Sequence, residues 1–551
     1  MYSVALSVLF AYMLYGCEHV KDKTPQTQFI HDGWVFYADS SPDKRYSAEV
    51  PGTIHTDLLR NKLINDPFYG NNEIAMKALE PIHWVYETSF DLNENHSHLS
   101  NKTLKFAGLD TYAEIILNNQ SLGLTDNMFR SWTFDVSGIL IEKNNILKIK
   151  FTPPRHYHKM TIEELSYILP ADNEADSIKI SPYTRKAPYH FGWDWGPRMI
   201  TSGIWKSISL IQHGPTSLED ASVRTISLDA QAAQLEYDLQ IKSEDFVEVI
   251  KVEIADTFYF IKLKPGNHHY RIPFEISDPK LWWPNGSGDA HLYESDLVLS
   301  ANGLAFAHHT ISYGVRTVEL VNEPDSIGTS FYFKVNGKPL FMQGANYIPQ
   351  DVFIPRVSDN QYRTLLQSAQ DAGMNMLRVW GGGIYEQDIF YDLCDSLGLL
   401  IWQDFMFAGT MYPGDDIFIN NVRQEVVEQV ERLKGHPSIA LFCGNNELEV
   451  AWFNWGWQEK YNYSTVDSTE IWNNYLELFH GLIPNIIDSI GNGIAYTPTS
   501  PLSNWGTPEN FNQSSMHYWG VWHGRENFED YETNVGRFMV EYGMQSYPEL
   551  S

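Results

Sequence analysis

Leu441-Phe-Cys-Gly-Asn-Asn-Glu447 is an apolar run that ends abruptly in Gly-Asn-Asn-Glu, and about 94 residues further on Arg537-Phe-Met-Val-Glu541-Tyr-Gly543 ends in the same manner. A buried strand that delivers a carboxylate at its C-terminal tip, twice in one chain, is how a (β/α) barrel builds a two-carboxylate site. A single glutamate in such a place is ordinarily a solvated loop residue. The surrounding sequence therefore has to decide.

Around these two runs, from about Phe331 onward, strand and helix signals alternate. Pro339 to Ala345 reads as a short buried strand. Ser358 opens a helix, with Gln361 three residues later completing a capping box and Gly373 as the stop. Tyr362, Leu365, Leu366 and Ala369 give that helix its apolar stripe. Asn375 to Trp380 is the next strand, Gln387 to Leu397 a helix and Leu399 to Trp402 a strand. Val422, Val426, Val430 and Leu433 mark a helix before the Ile439 to Gly444 strand. Gly493 to Thr497, Ser515 to Tyr518 and Arg537 to Glu541 supply three more strands. Alternation with short links implies a parallel sheet, and its length favours a closed barrel. Seven strands are found where a (β/α)8 barrel has eight, and the sequence ends ten residues after Glu541. The expectation is an incomplete TIM barrel over 331–551, C-terminally truncated and lacking its last strand. Alone, such a chain is expected to be poorly stable or inactive, because an open barrel leaves strand edges unpaired.

Upstream the pattern is all-β. From 28 to 213 short alternating stretches, among them Trp84 to Leu92, Leu104 to Phe106, Ala113 to Leu117 and Ile146 to Phe151, predict a jelly-roll-like β-sandwich. Asn118-Asn119 between apolar stretches is a turn that tolerates left-handed backbone. From 214 to 330, Leu235 to Ile241, Val247 to Ile254 and Tyr293 to Leu299 suit an immunoglobulin-like β-sandwich, with Leu281-Trp-Trp-Pro-Asn-Gly286 as a loop.

Composition excludes several functions. With 551 residues the chain is too long for one core. A net charge of −30 argues against nucleic acid or an anionic membrane surface as partner. Aromatic residues are abundant at 14 %, with 17 Trp, and serve either the core or the stacking of sugar rings. Of three cysteines, Cys394 and Cys443 lie in apolar runs and read as buried small hydrophobes. Cys17 follows the apolar stretch Val4 to Leu14 as Leu14-Tyr15-Gly16-Cys17, a lipobox-like arrangement closing a 1–17 signal segment. It predicts export, as a periplasmic or membrane-anchored bacterial lipoprotein lipidated on Cys17.

The chemistry-bearing residues cluster at predicted C-terminal strand tips. The second strand ends Leu377-Arg378-Val379-Trp380 before three glycines, the third ends Trp402-Gln403-Asp404, the fourth ends in Asn446-Glu447 and the seventh in Glu541. In a barrel these tips converge on one face. A cation at Arg378 would keep Glu541 ionised as a nucleophile, while Glu447 needs a desolvated setting to hold a proton near neutral pH. Such a pair suits glycoside hydrolysis with retention. His517 and His523 are six residues apart, which fits neither a helix face nor a zinc pattern; no metal and no cofactor are expected.

At these residues the chain resembles family 2 glycoside hydrolases, and among them the β-mannosidases. Carrying the likeness are Val50-Pro-Gly-Thr-Ile-His-Thr-Asp-Leu-Leu59 with Asp66-Pro-Phe-Tyr-Gly70, Phe191-Gly-Trp-Asp-Trp-Gly-Pro-Arg198, Leu281 to Gly286, Arg378-Val-Trp-Gly-Gly-Gly383, Gly444 to Glu447 and His517-Tyr-Trp-Gly-Val-Trp-His-Gly524. The resemblance implies that Glu447 is the acid/base and Glu541 the nucleophile of an exo-acting retaining enzyme on mannose-containing oligosaccharides. It implies that Trp193 and Asp194 reach from the first sandwich over the barrel mouth, with Asp194 on sugar hydroxyls. Arg378, Trp380, Asn446, Trp455 and Trp519 would line the sugar pocket, with Trp505 as a further candidate. Two alternatives stay open: another exo-glycosidase of the family, acting on β-galactosides or β-glucuronides, and a non-catalytic carbohydrate-binding fragment.

Overall fold

The computed structural model describes residues 24–93, 99–254 and 257–544. Cys17 lies outside them. Two antiparallel β-sandwiches precede a parallel α/β region. In the first, a four-stranded sheet (Gln26–Phe29, Ile208–His213, Asn101–Phe106, Trp132–Asp135 in spatial order) faces a six-stranded sheet centred on Trp84–Phe90 and Asn145–Thr152. Alternate residues such as Phe36, Tyr86, Leu104, Ile115, Ile149 and Leu210 fill the space between them. Asn118 and Asn119 both have positive φ, +50° and +65°, and turn the hairpin between Tyr112–Leu117 and Gln120–Thr125.

The second sandwich packs a three-stranded sheet (Thr216–Leu228, Ala232–Ser243, Gly266–Ser277) on a four-stranded one (Thr257–Leu263, Val247–Ile254, Tyr293–Ala301, Leu304–Tyr313). Its Leu281–Gly286 loop is a joint: Trp282 is fully buried, and its Nε1 donates to Asp395 O at 2.8 Å in the α/β region. A small antiparallel sheet, Val318–Val321 with Tyr332–Val335 and Lys338–Leu340, spans the expected 330/331 junction. Its Phe331 and Phe333 pack on Trp402 and Phe538 of the parallel strands.

In the α/β region Gly344–Tyr347, Met376–Val379, Leu400–Asp404, Ile439–Cys443 and Ala495–Thr497 form a parallel five-stranded sheet in that order. A second parallel sheet holds Ser503–Asn504, Ser515–Tyr518 and Phe538–Tyr542. In the link between them Ser500 forms an isolated bridge with Asn446, just beyond the fourth strand. This differs from the expected run of seven strands in two places. The Pro339 to Ala345 run divides between the antiparallel Lys338–Leu340 and the parallel Gly344–Tyr347, because Gly344 lets the chain pass so close to Met376 O that a Cβ would sit 1.8 Å from it. The fifth strand is interrupted between Thr497 and Ser503. What is seen is thus two parallel sheets rather than one continuous incomplete barrel. Gly344–Tyr347 and Phe538–Tyr542 face each other across a seam with no ladder; Asn346 Nδ2 donates to Val540 O at 3.0 Å, and Phe341 beside the seam is 82 % exposed.

Helices cover the outer face. Ser358 caps Asp359–Asp371 with the full Gln361 capping box, burying Tyr362 and Leu366 but leaving Leu365 partly exposed. Asp415 caps Asp416–Leu433 by accepting from Ile417 N and Phe418 N, and Val422, Val426, Val430 and Leu433 are all buried. The helices Leu448–Asn454, Trp457–Lys460, Thr465–Leu476 and Ile483–Ile490, the last two joined by the π-helical turn Glu477–Leu482, fill the long link after the fourth strand. No helix among the described residues is long and apolar enough to cross a membrane.

Candidate active site

The strand tips converge as their sequence requires. Asn445 ends the fourth strand by tying three segments: its Nδ2 donates to Pro498 O at 2.9 Å, while its Oδ1 accepts from Thr499 Oγ1 at 2.8 Å and Leu448 N at 3.1 Å. Glu447 follows with left-handed backbone, φ +67°, a conformation that costs a non-glycine residue roughly 1 kcal/mol or more. Its N–H, donating to Ser500 O at 2.7 Å, helps hold it there. The turn aims the Glu447 carboxylate into the cleft. Burial pushes its pKa up to about 7, with Arg378 and the Asn446 amide pulling the other way.

Arg378 is the electrostatic centre. It is 4 % exposed; Nη2 donates to Asp404 Oδ2 at 2.7 Å and Nε to Asp404 Oδ1 at 3.3 Å. Nη2 also reaches Asn446 Oδ1 at 2.8 Å, and Nη1 donates to Asn346 Oδ1 at 3.1 Å and to Glu541 Oε1. Burial pulls the guanidinium down, but Asp404 and Glu541 more than reverse it, so its pKa is raised. Asp404 is itself oriented by Trp402 Nε1 and Gly381 N, both at 2.9 Å.

Between the two glutamates stands His517. Its Nδ1 lies 2.9 Å from Glu447 Oε1 and 3.3 Å from Glu541 Oε2, and its Nε2 lies 2.8 Å from Ser500 Oγ. The facing oxygens of Glu447 and Glu541 and this nitrogen all lie within 4.8 Å of one another. Trp519 Nε1 donates to Glu541 Oε2 at 3.3 Å.

The first sandwich supplies the wall opposite. Trp193 and Gly196 close a tight hairpin by exchanging backbone hydrogen bonds of 3.1 and 3.2 Å. Trp193 and Trp195 both meet Trp380 edge-on, with centroids at 4.7 and 5.5 Å. Gly409 (φ +72°) is required beneath Trp193, since a Cβ there would fall 2.8 Å from the indole. Asp194 is exposed at the tip, 3.8 Å from His523 Nε2. A buried pair fixes the segment that leads into this loop to the α/β region: Arg185 Nε and Nη2 donate to Glu425 at 2.9 and 2.6 Å.

All ten residues singled out from the sequence, Trp193, Asp194, Arg378, Trp380, Asn446, Glu447, Trp455, Trp505, Trp519 and Glu541, line one cleft. They are not equally placed. Trp380 and Trp193 pack on each other, whereas Trp455 is half-exposed and edge-on to Trp457. Trp505 packs edge-on to Tyr518 at 5.9 Å while also lining the cleft. Sequence reasoning assigned no part to Asp404, Asn346, Ser500 or His517. Asp404 carried a signal, its position at a strand tip; His517 was weighed only as a metal ligand.

This architecture and cleft have counterparts. The model "Glycosyl hydrolase 2 galactose-binding domain-like" matches residues 34–206, and "Glycosyl hydrolases family 2" matches 210–316. The chain belongs to the family 2 glycoside hydrolases. Within that family it is similar to β-mannosidases. The β-mannosidase of Capra hircus is 35 % identical over 529 residues, covering 92 % of this chain and 60 % of the relative. β-Mannosidase B of Aspergillus niger is 34 % identical over 521 residues, covering 91 % and 60 %. The crystal structure of a β-D-mannosidase from Dictyoglomus thermophilum superposes with a TM-score of 0.88 at 37 % identity, covering 95 % of this chain and 64 % of that one. The chain thus spans about 60 % of the length of the curated relatives it matches.

Proposed function

We propose that the protein is a retaining exo-glycosidase that removes terminal non-reducing β-D-mannose from oligosaccharides. The observation that carries the reading is the glutamate pair. Glu447 and Glu541 present oxygens within 4.8 Å of each other, one carboxyl raised to about 7 by burial and the other paired with Arg378. Carboxyl groups this close leave no room for the about 6.5–9.5 Å separation of an inverting pair and suit double displacement, for which they stand about 5–5.5 Å apart. Glu541 attacks the anomeric carbon while Glu447 gives its proton to the departing oxygen. Glu447 then takes a proton from water, which attacks the same carbon and frees Glu541.

The choice of mannose rests on the relatives' names and on Asp194. A carboxylate accepting from sugar hydroxyls can discriminate an axial 2-hydroxyl from an equatorial one. Comparing turnover of aryl β-mannoside, β-galactoside and β-glucuronide tests it; preference for either of the last two overturns the assignment. The two parallel sheets are, in this proposal, arcs of one (β/α)8 barrel whose strand tips form the cleft floor. Export and lipidation of Cys17 belong to the proposal on sequence grounds alone. Metabolic labelling with a radioactive fatty acid, lost in Cys17→Ala, checks them.

A further inference from the structure

His517 is buried, with its side chain 2 % exposed, and three polar groups surround its two ring nitrogens. Burial lowers its pKa to about 3, so at neutral pH the ring carries one proton. The tautomer then decides what it does. A bare Nδ1 would aim its lone pair at Glu447 Oε1 and Glu541 Oε2, 2.9 and 3.3 Å away, and repel whichever is ionised. A protonated Nδ1 donates to both. Nε2 is then an acceptor, and the Ser500 hydroxyl 2.8 Å away is the donor beside it. Ser500 is well placed to enforce this. Its N–H donates to Asn445 O at 2.9 Å and its carbonyl accepts from Glu447 N at 2.7 Å, so it is fixed to the tip that carries Glu447.

We propose that His517 is a positioning residue: its single Nδ1–H, fixed by the Ser500 hydroxyl, is shared between Glu447 and Glu541 and follows the negative charge from one to the other during turnover. The inference rests on the reading of these glutamates as the catalytic pair. Before reaction Glu541 is the anion and Glu447 holds the proton. When the Glu541–anomeric carbon bond forms and the glycosidic bond breaks, the Glu447 proton leaves with the aglycone oxygen. The anion is now Glu447. When water gives its proton to Glu447 and its oxygen to the anomeric carbon, the bond to Glu541 breaks and the charge returns. The His517 proton is never transferred. It is a fixed donor that stabilises each anion in turn with no reorganisation of the site.

The test is the tautomer, read by 15N NMR of the full chain labelled at histidine. His517 is assigned by the signals lost in His517→Phe or, should that variant not fold, by those shifted in Ser500→Ala. Protonated Nδ1 with unprotonated Nε2 is expected, and protonated Nε2 overturns the proposal. Ser500→Ala should populate the other tautomer and lower kcat/KM about 10- to 100-fold. Loss of that donor leaves the anionic form of the pair less stabilised, so the acid limb of the kcat/KM profile should move to higher pH. Ser500→Thr, which keeps the hydroxyl, should restore both. A fall in rate with an unmoved limb and an unchanged tautomer would mean a structural role and sink the inference. The tautomer needs no turnover to be read, so this failure is separate from failure of the catalytic reading, which appears as activity surviving in Glu541→Ala.

Discussion

Asp404 grips Arg378 from the adjacent parallel strand through two hydrogen bonds of 2.7 and 3.3 Å, and the same guanidinium reaches Glu541. Planar two-point pairing fixes the direction of the fork as well as its charge. Asp404→Asn keeps the shape but removes the counter-charge and one acceptor. Arg378 should then swing, leaving Glu541 less firmly held. We expect kcat/KM for an aryl β-mannoside to fall about 100-fold with KM changed little, since Asp404 faces Arg378, Trp402 and Gly381. Arg378→Lys should be at least as damaging, because an ammonium cannot make the fork.

Glu447 sets the alkaline side of the pH profile. Its pKa is raised to about 7, chiefly by burial, and only the protonated form can act as acid. Activity on substrates with poor leaving groups should therefore decline above about pH 7. In Glu447→Ala, an activated 2,4-dinitrophenyl β-mannoside should lose far less of its first step than an alkyl mannoside, and added azide should accelerate release of the sugar. Equal losses on both substrates would remove Glu447 from the acid role.

The same shift predicts a stability effect of definite sign. A carboxyl with folded pKa near 7 and an ordinary value of 4.5 binds more protons folded than unfolded between those values. Stability contributed by the neutral form is present below 4.5 and lost as pH rises through 7. Glu447→Gln removes the penalty of burying the anion, about 3 kcal/mol at pH 8 on the pKa difference. Its melting temperature should exceed that of the parent at pH 8 and approach it at pH 4.5, as scanning calorimetry at both pH values would show.

Specificity is predicted to lie on the loop from the first sandwich. Asp194→Ala should cost mannoside turnover much more than it costs the general fold, because Asp194 is exposed at the loop tip. Gly409→Ala offers an indirect check. Its Cβ would stand 2.8 Å from the Trp193 indole, so the loop must move. A raised KM is expected together with a modest fall in melting temperature, since alanine is strained at φ +72°; unaltered kinetics would disconnect the loop from the sugar.

Much of this is legible in the amino-acid sequence. The Ser358–Gln361 capping box, the Asn118-Asn119 turn and the buried stripe of Asp416–Leu433 follow from local chemistry, and each is present. The strand-tip rule likewise gathered Arg378, Trp380, Asn446, Glu447 and Glu541 into one cleft, and the family resemblance added Trp193, Asp194, Trp455, Trp505 and Trp519. What escaped depends on register between strands. His517 stands opposite Glu541 only because the ladder shifts by one residue between Met516 and His517. Such a bulge leaves no mark in the alternation of apolar and polar residues. The interrupted fifth strand escaped for a related reason: Thr499 and Ser500 make hydrogen bonds to the Asn445–Glu447 tip, which a short polar stretch does not announce.

The last prediction concerns the joint that brings the sandwich loop to the cleft. Arg185 and Glu425 are both buried, and Glu425 also accepts from Asn127 Nδ2 at 2.8 Å and Tyr385 OH at 2.9 Å. Arg185→Met would leave the Glu425 anion without its cation in a dry interface, a loss of about 3–5 kcal/mol. It would also free the segment that leads to Trp193 and Asp194. Thermal unfolding of the variant should begin at lower temperature, and its mannoside KM should rise together with the loss of stability. In Arg185→Met with Glu425→Gln no charge is stranded, and the neutral amide still accepts from Tyr385. The double variant should therefore recover most of the stability. It should recover less of the KM, because the two-point pairing that orients the loop is still missing. Equal melting temperatures for the single and double variants would show that the pair contributes packing alone.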